Sequence, residues 1–204
     1  MARSAHLLQT PNPMALMRKD GEGLRRVDGE GVYLRQPEPR DYQEWGDLRE
    51  ASRAFLTPWE PTWAVDETSR GSYRYKLRRY IEDARDDRAF ALFVFRESDD
   101  ALVGGITLSN VRRGVAQTAS LGYWAGERFA NQGYITAAVR TCVRYAFDDL
   151  DLHRVEAACQ PDNIASRRVL EKAGFTHEGM AHAYLRINGG WRDHILFGII
   201  NPRG

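Results

Sequence analysis

The chain has 204 residues, and its 29 lysines and arginines nearly balance its 28 aspartates and glutamates, which gives a formal net charge of +1. This length is typical of one domain, and a composition with 43% hydrophobic and 28% charged residues excludes wholesale disorder. The charge balance also excludes the broad basic field of a protein dedicated to nucleic acid, so we expect no specific nucleic-acid partner.

The remaining composition points to a cytoplasmic protein without a metal. Cys142 and Cys159 lack metal-ligand spacing, and the histidines, His194 among them, form no close pair at helical spacing. No apolar run approaches the roughly 18 residues needed to cross a bilayer, so we expect no membrane association. Residues 1–31 lack the apolar region of a signal peptide and are predicted to form a flexible or partly packed arm before a single domain of residues 32–200.

The first half of that domain is predicted to begin with a strand and two helices, followed by three strands. Tyr73, Leu77 and Tyr80 recur at helical spacing, whereas the run AFALFVF from Ala89 is continuously apolar, as in a strand covered on both faces. The predicted strands cover residues 31–35, 89–95, 101–111 and 118–125, and the predicted helices cover residues 40–56 and 69–84.

The second half contains the clearest helix of the chain. From Ile135 to Phe147, apolar or small residues follow an uninterrupted helical stripe. The later elements are predicted as a strand over residues 154–160, a helix over 164–173 and two strands over 175–187 and 191–200. The two last strands are joined by Asn-Gly-Gly, which is a hairpin signal. This order of elements predicts a mixed α/β sheet rather than a doubly wound one.

The segment from Gly122 to Thr136 runs from a strand through a loop with Gly126 and Gly133 into this helix. The first turn of a helix leaves backbone N–H groups unpaired, and a glycine there lets the backbone approach a ligand closely. Such a turn favours phosphate or pyrophosphate. The pattern is neither a P-loop nor a dinucleotide fingerprint, so the sequence of this segment leaves a plain helix start open as well.

A second notable segment contains Asn163 and Ser166, at the start of the penultimate helix. Asp162 or Asn163 would cap that helix and Gly174 would end it. Capping gives a reason for an asparagine at the first position but gives none for Ser166, one turn later. Ser166 is therefore either a solvated helix serine or part of a site.

Several segments together resemble the GNAT superfamily of acyl-CoA-dependent N-acetyltransferases, and more closely its RimJ/RimL group of ribosomal-protein alanine N-acetyltransferases. These segments are LGYW (121–124), NQGYITAAV (131–139), LHRVEAACQPDNIASRRVLEKAGF (152–175), EGM (178–180) and GGWRDH (189–194). The resemblance extends from about Val32 to Ile200. It implies an α/β GNAT fold with a mixed, mostly antiparallel central sheet of six to seven strands, splayed in the middle, and about four helices.

The resemblance implies acetyl-CoA as the acyl donor. The superfamily's pyrophosphate loop reads Gln/Arg-x-x-Gly-x-Gly/Ala, and here it matches at Gly133 but departs from the pattern at Ala130 and Ile135. Backbone amides from Gln132 to Thr136 would still be available to the pyrophosphate. The residues implied in cofactor binding are Tyr123, Trp124, Arg128, Asn131, Gln132, Gly133, Tyr134, Ile135, Thr136, Asn163 and Ser166.

The same resemblance suggests which residue protonates the leaving thiolate. Many superfamily members use a tyrosine at the position of Leu170, which this chain lacks. Ser166 matches the serine that the RimL-like branch uses instead. We therefore expect Asn163 and Ser166 beside the thioester sulfur, with Ser166 as the proton donor.

The general base is harder to identify, because the positions that supply an acid in two ribosomal branches are occupied by Leu185 and Ala158. Glu156 is a candidate because it shares a strand face with Ala158. Glu60 is the other, because its loop is expected beside the acceptor groove, although most loop carboxylates are simply solvated.

The function implied is the transfer of acetyl from acetyl-CoA to an amine by direct attack. A peptide α-amine has a pKa of about 7.7–8.0 against about 10.4 for lysine, so a site without a strong base handles an α-amine more easily. This favours the N-terminal α-amine of a protein or peptide. A small amine such as an antibiotic, polyamine or amino-acid analogue, or a CoA-binding module without turnover, remains an alternative, and both a monomer and a homodimer are open.

Overall fold

The computed structural model describes residues 26–203, which form one eight-stranded sheet with the order β1-β2-β3-β4-β5-β6-β8-β7 and five α-helices. The strands are β1 (Val27–Asp28), β2 (Val32–Arg35), β3 (Phe90–Arg96), β4 (Leu102–Arg112), β5 (Thr118–Ala125), β6 (Arg154–Cys159), β7 (Thr176–Ile187) and β8 (Gly190–Ile200). The helices are α1 (Tyr42–Ala51), α2 (Arg53–Leu56), α3 (Arg70–Arg85), α4 (Tyr134–Asp148) and α5 (Ile164–Lys172). Every neighbouring pair of strands is antiparallel except β5 and β6.

The predicted α/β architecture is confirmed, but the numbers of strands and of helices differ from the prediction. The sheet has eight strands rather than six to seven, because β1 adds a two-residue strand that is too short to show a pattern in the sequence. It lies within the predicted arm of residues 1–31, of which residues 1–25 lie outside the described residues.

The structure has five α-helices rather than four, because the helix predicted over residues 40–56 breaks at Ser52 into α1 and α2. Ser52 is buried, with φ −102° and ψ 8°, and its Oγ accepts a hydrogen bond of 2.9 Å from the distant Glu127 N–H. A tertiary contact of this kind leaves no local signal in the sequence.

The core lies between the sheet and α4. All residues of β3 except Arg96 are buried, as the continuous apolar run predicts. Helix α4 buries Ala138, Val139 and Cys142 completely along its predicted stripe. Burying each valine- or leucine-sized side chain contributes about 1.5–3 kcal/mol to folding, so this face holds the helix start in a fixed position over the sheet. None of the helices between residues 26 and 203 is long and apolar enough to span a membrane.

The sheet opens between its two parallel strands. β5 and β6 pair only from Thr118 with Arg154 to Leu121 with Ala157. Beyond that point residues 122–125 continue to pair with β4, while Ala158 and Cys159 continue to pair with β8. The two strands therefore diverge, and one edge of residues 122–125 has no strand partner. This is the splay in the middle of the sheet that the resemblance implies.

Candidate active site

A cavity of about 640 Å³ occupies the divergence of β5 and β6. Its walls come from the last residues of β5 and β6, the starts of α4 and α5, the loop at Trp59–Glu60 and the β7–β8 hairpin. Elements distant in the chain thus meet at the point where the sheet leaves backbone groups unpaired. Such a position is where an extended ligand can add to a sheet edge.

The start of α4 presents a cluster of free backbone donors to this cavity. Gly133 precedes the helix with φ +87°, and Asn131 also has a positive φ, of 60°. No side chain caps the helix, and the first N–H of this region to donate is that of Ala137, to the carbonyl of Gly133. The N–H groups of residues 132–136 donate no hydrogen bond within the described chain. Together with the helix dipole, these groups form an anion site.

Most of the predicted cofactor-binding residues lie around the cavity. Those that line it are Tyr123, Trp124, Asn131, Gly133, Ile135, Thr136, Asn163 and Ser166. The structure places Arg128, Gln132 and Tyr134 outside this lining. The Arg128 guanidinium lies 4.7 Å from the Phe129 ring, Gln132 Nε2 donates to the Arg128 carbonyl at 2.7 Å, and the Tyr134 hydroxyl lies 3.5 Å from Arg96.

Ser166 and Asn163 lie together at the start of α5, and a tyrosine from β5 joins them. Asn163 Oδ1 accepts a 3.0 Å hydrogen bond from the Ser166 N–H, which is the predicted cap. The Tyr123 hydroxyl lies 2.8 Å from Ser166 Oγ and donates to the Ser166 carbonyl at 3.2 Å. Burial raises the pKa of Tyr123, so its phenol stays protonated and neutral near pH 7. Tyr123 therefore fixes the orientation of the serine hydroxyl.

Trp124 packs closely against two glycines of β4, Gly104 and Gly105. A Cβ on Gly104 would lie 2.2 Å from the Trp124 carbonyl oxygen, and a Cβ on Gly105 would lie 2.4 Å from the indole Nε1. Both distances are far below a van der Waals contact, and at Gly104 the contact is with the backbone of β5, so β4 and β5 approach each other there in a way that any side chain would prevent. A β-bulge lies at Val103, immediately before the two glycines, where β4 loses register with β3.

Glu60 lies at the cavity, and both of its carboxylate oxygens are already engaged. Arg49 donates to Oε1 and to Oε2, each at 2.7 Å, and the Trp63 indole N–H donates to Oε2 at 2.7 Å. The Arg49 side chain is 8% exposed and its guanidinium is stacked between Trp63, at 4.2 Å, and Trp124, at 4.9 Å. This buried pair connects α1 to the loop and to the wall of the cavity.

Glu156, the other predicted base, lies outside the cavity lining. Its carboxylate pairs with Arg154 at 3.0 Å and with Arg112 at 3.4 Å on the surface of the sheet. The structure therefore brings Ser166, Asn163 and Glu60 to one cavity and does not bring Glu156 to it.

Sequence reasoning missed Arg49 and His194 at the cavity, and it gave no role to the hydroxyl of Tyr123. That hydroxyl and the guanidinium of Arg49 bond residues that are 43 and 11 positions away, respectively. His194 was considered only as a metal ligand, yet it is buried and lines the cavity. It belongs to the GGWRDH segment, which could have marked it, but the strand face on which it lies depends on the register of β8.

Comparisons with known proteins agree with this geometry. A family model described as "Acetyltransferase (GNAT) domain" matches residues 32–176. The "Probable N-acetyltransferase YjcK" of Bacillus subtilis is 38% identical over 176 residues, which cover 86% of this chain and 97% of that protein. The ribosomal protein uS5 alanine N-acetyltransferase of Escherichia coli is 30% identical over 177 residues, which cover 87% of this chain and 91% of that protein.

A solved structure supports the same assignment. Mycobacterium smegmatis RimJ, in complex with CoA-disulfide, superposes with a TM-score of 0.81 at 32% identity over 88% of this chain and 87% of that one. These relatives include ribosomal-protein alanine N-acetyltransferases, as the resemblance in the sequence implies. The chain belongs to the GNAT acetyltransferase family, and its activity is that of an acyl-CoA-dependent N-acetyltransferase.

Proposed function

We propose that this protein transfers the acetyl group of acetyl-CoA to the N-terminal α-amine of a protein or peptide. One observation carries the proposal: the free N–H groups at the start of α4, the unpaired edge of residues 122–125 and Ser166 all open into the same cavity. The relative that shares 32% identity over most of the chain binds CoA in its disulfide form, which supports this donor.

The cavity suits the separate parts of acetyl-CoA. The amides at the start of α4 would bind the pyrophosphate, and the edge of β5 at Tyr123 and Trp124 would pair with the amides of the pantetheine arm. Arg168 and Lys172 of α5 also line the cavity and supply positive charge for phosphate. Ser166 lies beyond these groups, beside Tyr123.

The chemistry proposed for this site is direct transfer. The amine nitrogen attacks the thioester carbonyl carbon, a C–N bond forms and the C–S bond breaks as sulfur leaves with its electron pair. Ser166 donates a proton to that sulfur, while Tyr123 holds its hydroxyl and Asn163 fixes the helix start that carries it. Backbone N–H groups of the open β5 edge stabilise the oxyanion, a contribution of about 3–4 kcal/mol.

The charges of the cavity favour an α-amine over a polycation. The acids that line it are Glu60 and Asp162, and Arg49 neutralises the first of them. Arg168 and Lys172 line it as well, so the wall is not strongly acidic. An α-amine carries one charge and, with a pKa of about 7.7–8.0, loses its proton near neutral pH. The acceptor we propose is therefore a protein N-terminus of the kind that the relative named for ribosomal protein uS5 uses, which would place the reaction in the cytoplasm.

CoA release from acetyl-CoA tests the proposal directly. The purified protein is assayed with peptides that begin with Ala, Ser or Met, with polyamines and with aminoglycosides. We expect turnover with at least one peptide, and mass spectrometry should locate the acetyl group on the α-amine. A peptide with a blocked N-terminus and an internal lysine is the control. Turnover confined to polyamines or aminoglycosides, or CoA binding with no turnover on any amine, would contradict the proposed acceptor.

Replacing Ser166 by alanine should lower kcat by at least about 100-fold, since general acid catalysis contributes about 10²–10⁴-fold. The affinity for acetyl-CoA, measured by calorimetry, should change little because the amides at the start of α4 and the open edge of β5 remain. Tyr123→Phe should show a smaller loss in kcat, because it removes the group that orients the serine but leaves the donor. Ser109→Ala serves as the matched control, since its hydroxyl only bonds the Ser120 carbonyl. A parallel loss of affinity and turnover in Ser166→Ala would refute the donor role.

A further inference from the structure

We propose that His194 is the general base that removes a proton from the acceptor ammonium. This inference rests on the proposed function, because it assigns a role within the same cavity. None of the acids that the sequence offered for this step is both at the cavity and free of partners: Glu60 is held by Arg49 and Trp63, and Glu156 lies outside.

The structure fixes the tautomer of this imidazole. His194 is 3% exposed and lines the cavity from β8. Its Nδ1 lies 3.0 Å from the carbonyl oxygen of Arg192. A carbonyl oxygen only accepts hydrogen bonds, so Nδ1 must carry the proton, and Nε2 then keeps its lone pair. No side chain of the described residues hydrogen-bonds Nε2, and Nε2 is not fully buried. A base needs this arrangement, in which one nitrogen is oriented and the other is open.

The strand register places His194 close to Ala158 on the cavity wall. Ala158 of β6 lies directly opposite Leu196 of β8, and His194 lies two residues before Leu196 on the same face of the sheet. Such diagonal neighbours are about 7–8 Å apart. Ala158 and Leu185 also line the cavity, and neither carries an ionisable group. His194 is therefore the side chain on this part of the cavity wall that can accept a proton.

The other ionisable groups of the cavity are less suitable. Burial raises the pKa of the Cys159 thiol and of Tyr123, so both stay protonated and neither accepts a proton near pH 7. Asp162 is exposed at the start of α5. An imidazole is the side chain that most often serves as a general base in enzymes.

The proposed step balances as follows. The acceptor enters as an ammonium, and Nε2 of neutral His194 takes one of its protons and later releases it to water. The freed lone pair forms the C–N bond with the thioester carbon. When the C–S bond breaks, the sulfur keeps the electron pair and takes a proton from the Ser166 hydroxyl. The nitrogen then loses its second proton, which replaces the proton that Ser166 gave up. The products are an amide, a thiol and one proton in solution.

Replacing His194 by glutamine should lower kcat at least about 100-fold with a peptide acceptor, within the range of general base catalysis, and change the affinity for acetyl-CoA less than about 3-fold. Asp193 interacts electrostatically with this ring and the Tyr184 ring lies 5.8 Å from it, while Cys159 and Glu60 line the same cavity. His153→Gln, an exposed site outside the cavity, is the matched control and should be unchanged.

A series of acceptors separates a base from a structural residue. The loss in His194→Gln should be largest for acceptors of high amine pKa and should shrink for an aniline or hydrazide peptide, which is neutral at pH 7. Added imidazole should partly restore the rate of His194→Gly. An equal loss with every acceptor, together with no rescue, would overturn the proposal even if both variants are folded.

Nitrogen-15 NMR of the imidazole tests the inference without any acceptor. We expect the Nδ1–H tautomer in the CoA complex. If wild type acetylates no peptide but the ring is the Nδ1–H tautomer, the acceptor class is wrong and the base assignment stands. If peptides are acetylated but the ring is the Nε2–H tautomer, the base assignment fails and the proposed function stands.

Discussion

Replacing Arg49 by methionine is expected to lower the free energy of unfolding by about 3–5 kcal/mol, the cost of removing one partner from a buried ion pair. Arg49 is 6% exposed as a whole residue. Its guanidinium bonds both oxygens of Glu60 and lies between two tryptophan rings. Its loss leaves the Glu60 carboxylate uncompensated and releases Trp63 and Trp124. In a domain of this size the melting temperature should fall by roughly 6–20 °C, which calorimetry would measure.

Arg53→Met provides the control for this change. Arg53 also stacks on Trp63, at 4.6 Å, but its ion pair with Glu50 is exposed, so its loss should affect stability far less. The double variant Arg49→Met/Glu60→Gln should recover part of the loss, because it leaves no unpaired charge. If Arg49→Met and Arg53→Met destabilise equally, the stacking on Trp63 and not the buried ion pair holds the loop.

Gly104→Ala is the second change with a large expected effect. A Cβ there would lie 2.2 Å from the Trp124 carbonyl oxygen and 3.1 Å from the Ala125 Cα, so backbone and not a mobile side chain must move. We expect a loss of about 3 kcal/mol in unfolding free energy, at the upper end of overpacking effects. Because β5 must shift at its open edge, the affinity for CoA should fall as well. Chemical denaturation and calorimetry with CoA measure the two effects.

Substitutions at two neighbouring glycines serve as controls for that result. Gly105→Ala meets only the Trp124 indole, which can turn away, so the loss of stability should be smaller. Gly122→Ala has nothing within 4 Å and no positive φ, and alanine costs less than glycine in a strand, so its stability should be unchanged or slightly higher. If Gly104→Ala were as stable as Gly122→Ala, the close approach of β4 and β5 at this point would be refuted.

Elements with strong local signals could be predicted well. The strand predicted over residues 118–125 is found as Thr118–Ala125, and α4 begins one residue before the start of its predicted stripe. Ser69 caps α3 through its side chain, at the residue where the helix was predicted to begin. In each of these places the local sequence pattern, which at α3 includes the capping serine, agrees with the structure, and no tertiary contact opposes it.

The rest depends on contacts between distant residues. The break at Ser52 follows from a bond to Glu127, and the position of Glu156 follows from arginines on two strands. Ser166 became a candidate through the resemblance to the RimL-like branch, since the helix start alone leaves a solvated serine open, and its role stays a prediction. Local pattern could not identify His194, because only the register of β8 against β6 and β7 brings this side chain to the cavity.

The short parallel contact between β5 and β6 has a consequence for the protein's hydrogen-exchange behaviour. Because residues 122–125 have a strand on one side only, backbone amides that face the divergence are free to exchange with solvent. A thioester donor that adds to this edge would protect those amides and would stabilise the fold by about 2.7 kcal/mol at 100 times its dissociation constant. The donor would thus act as a ninth strand, and cellular acetyl-CoA levels would set how resistant the enzyme is to proteolysis.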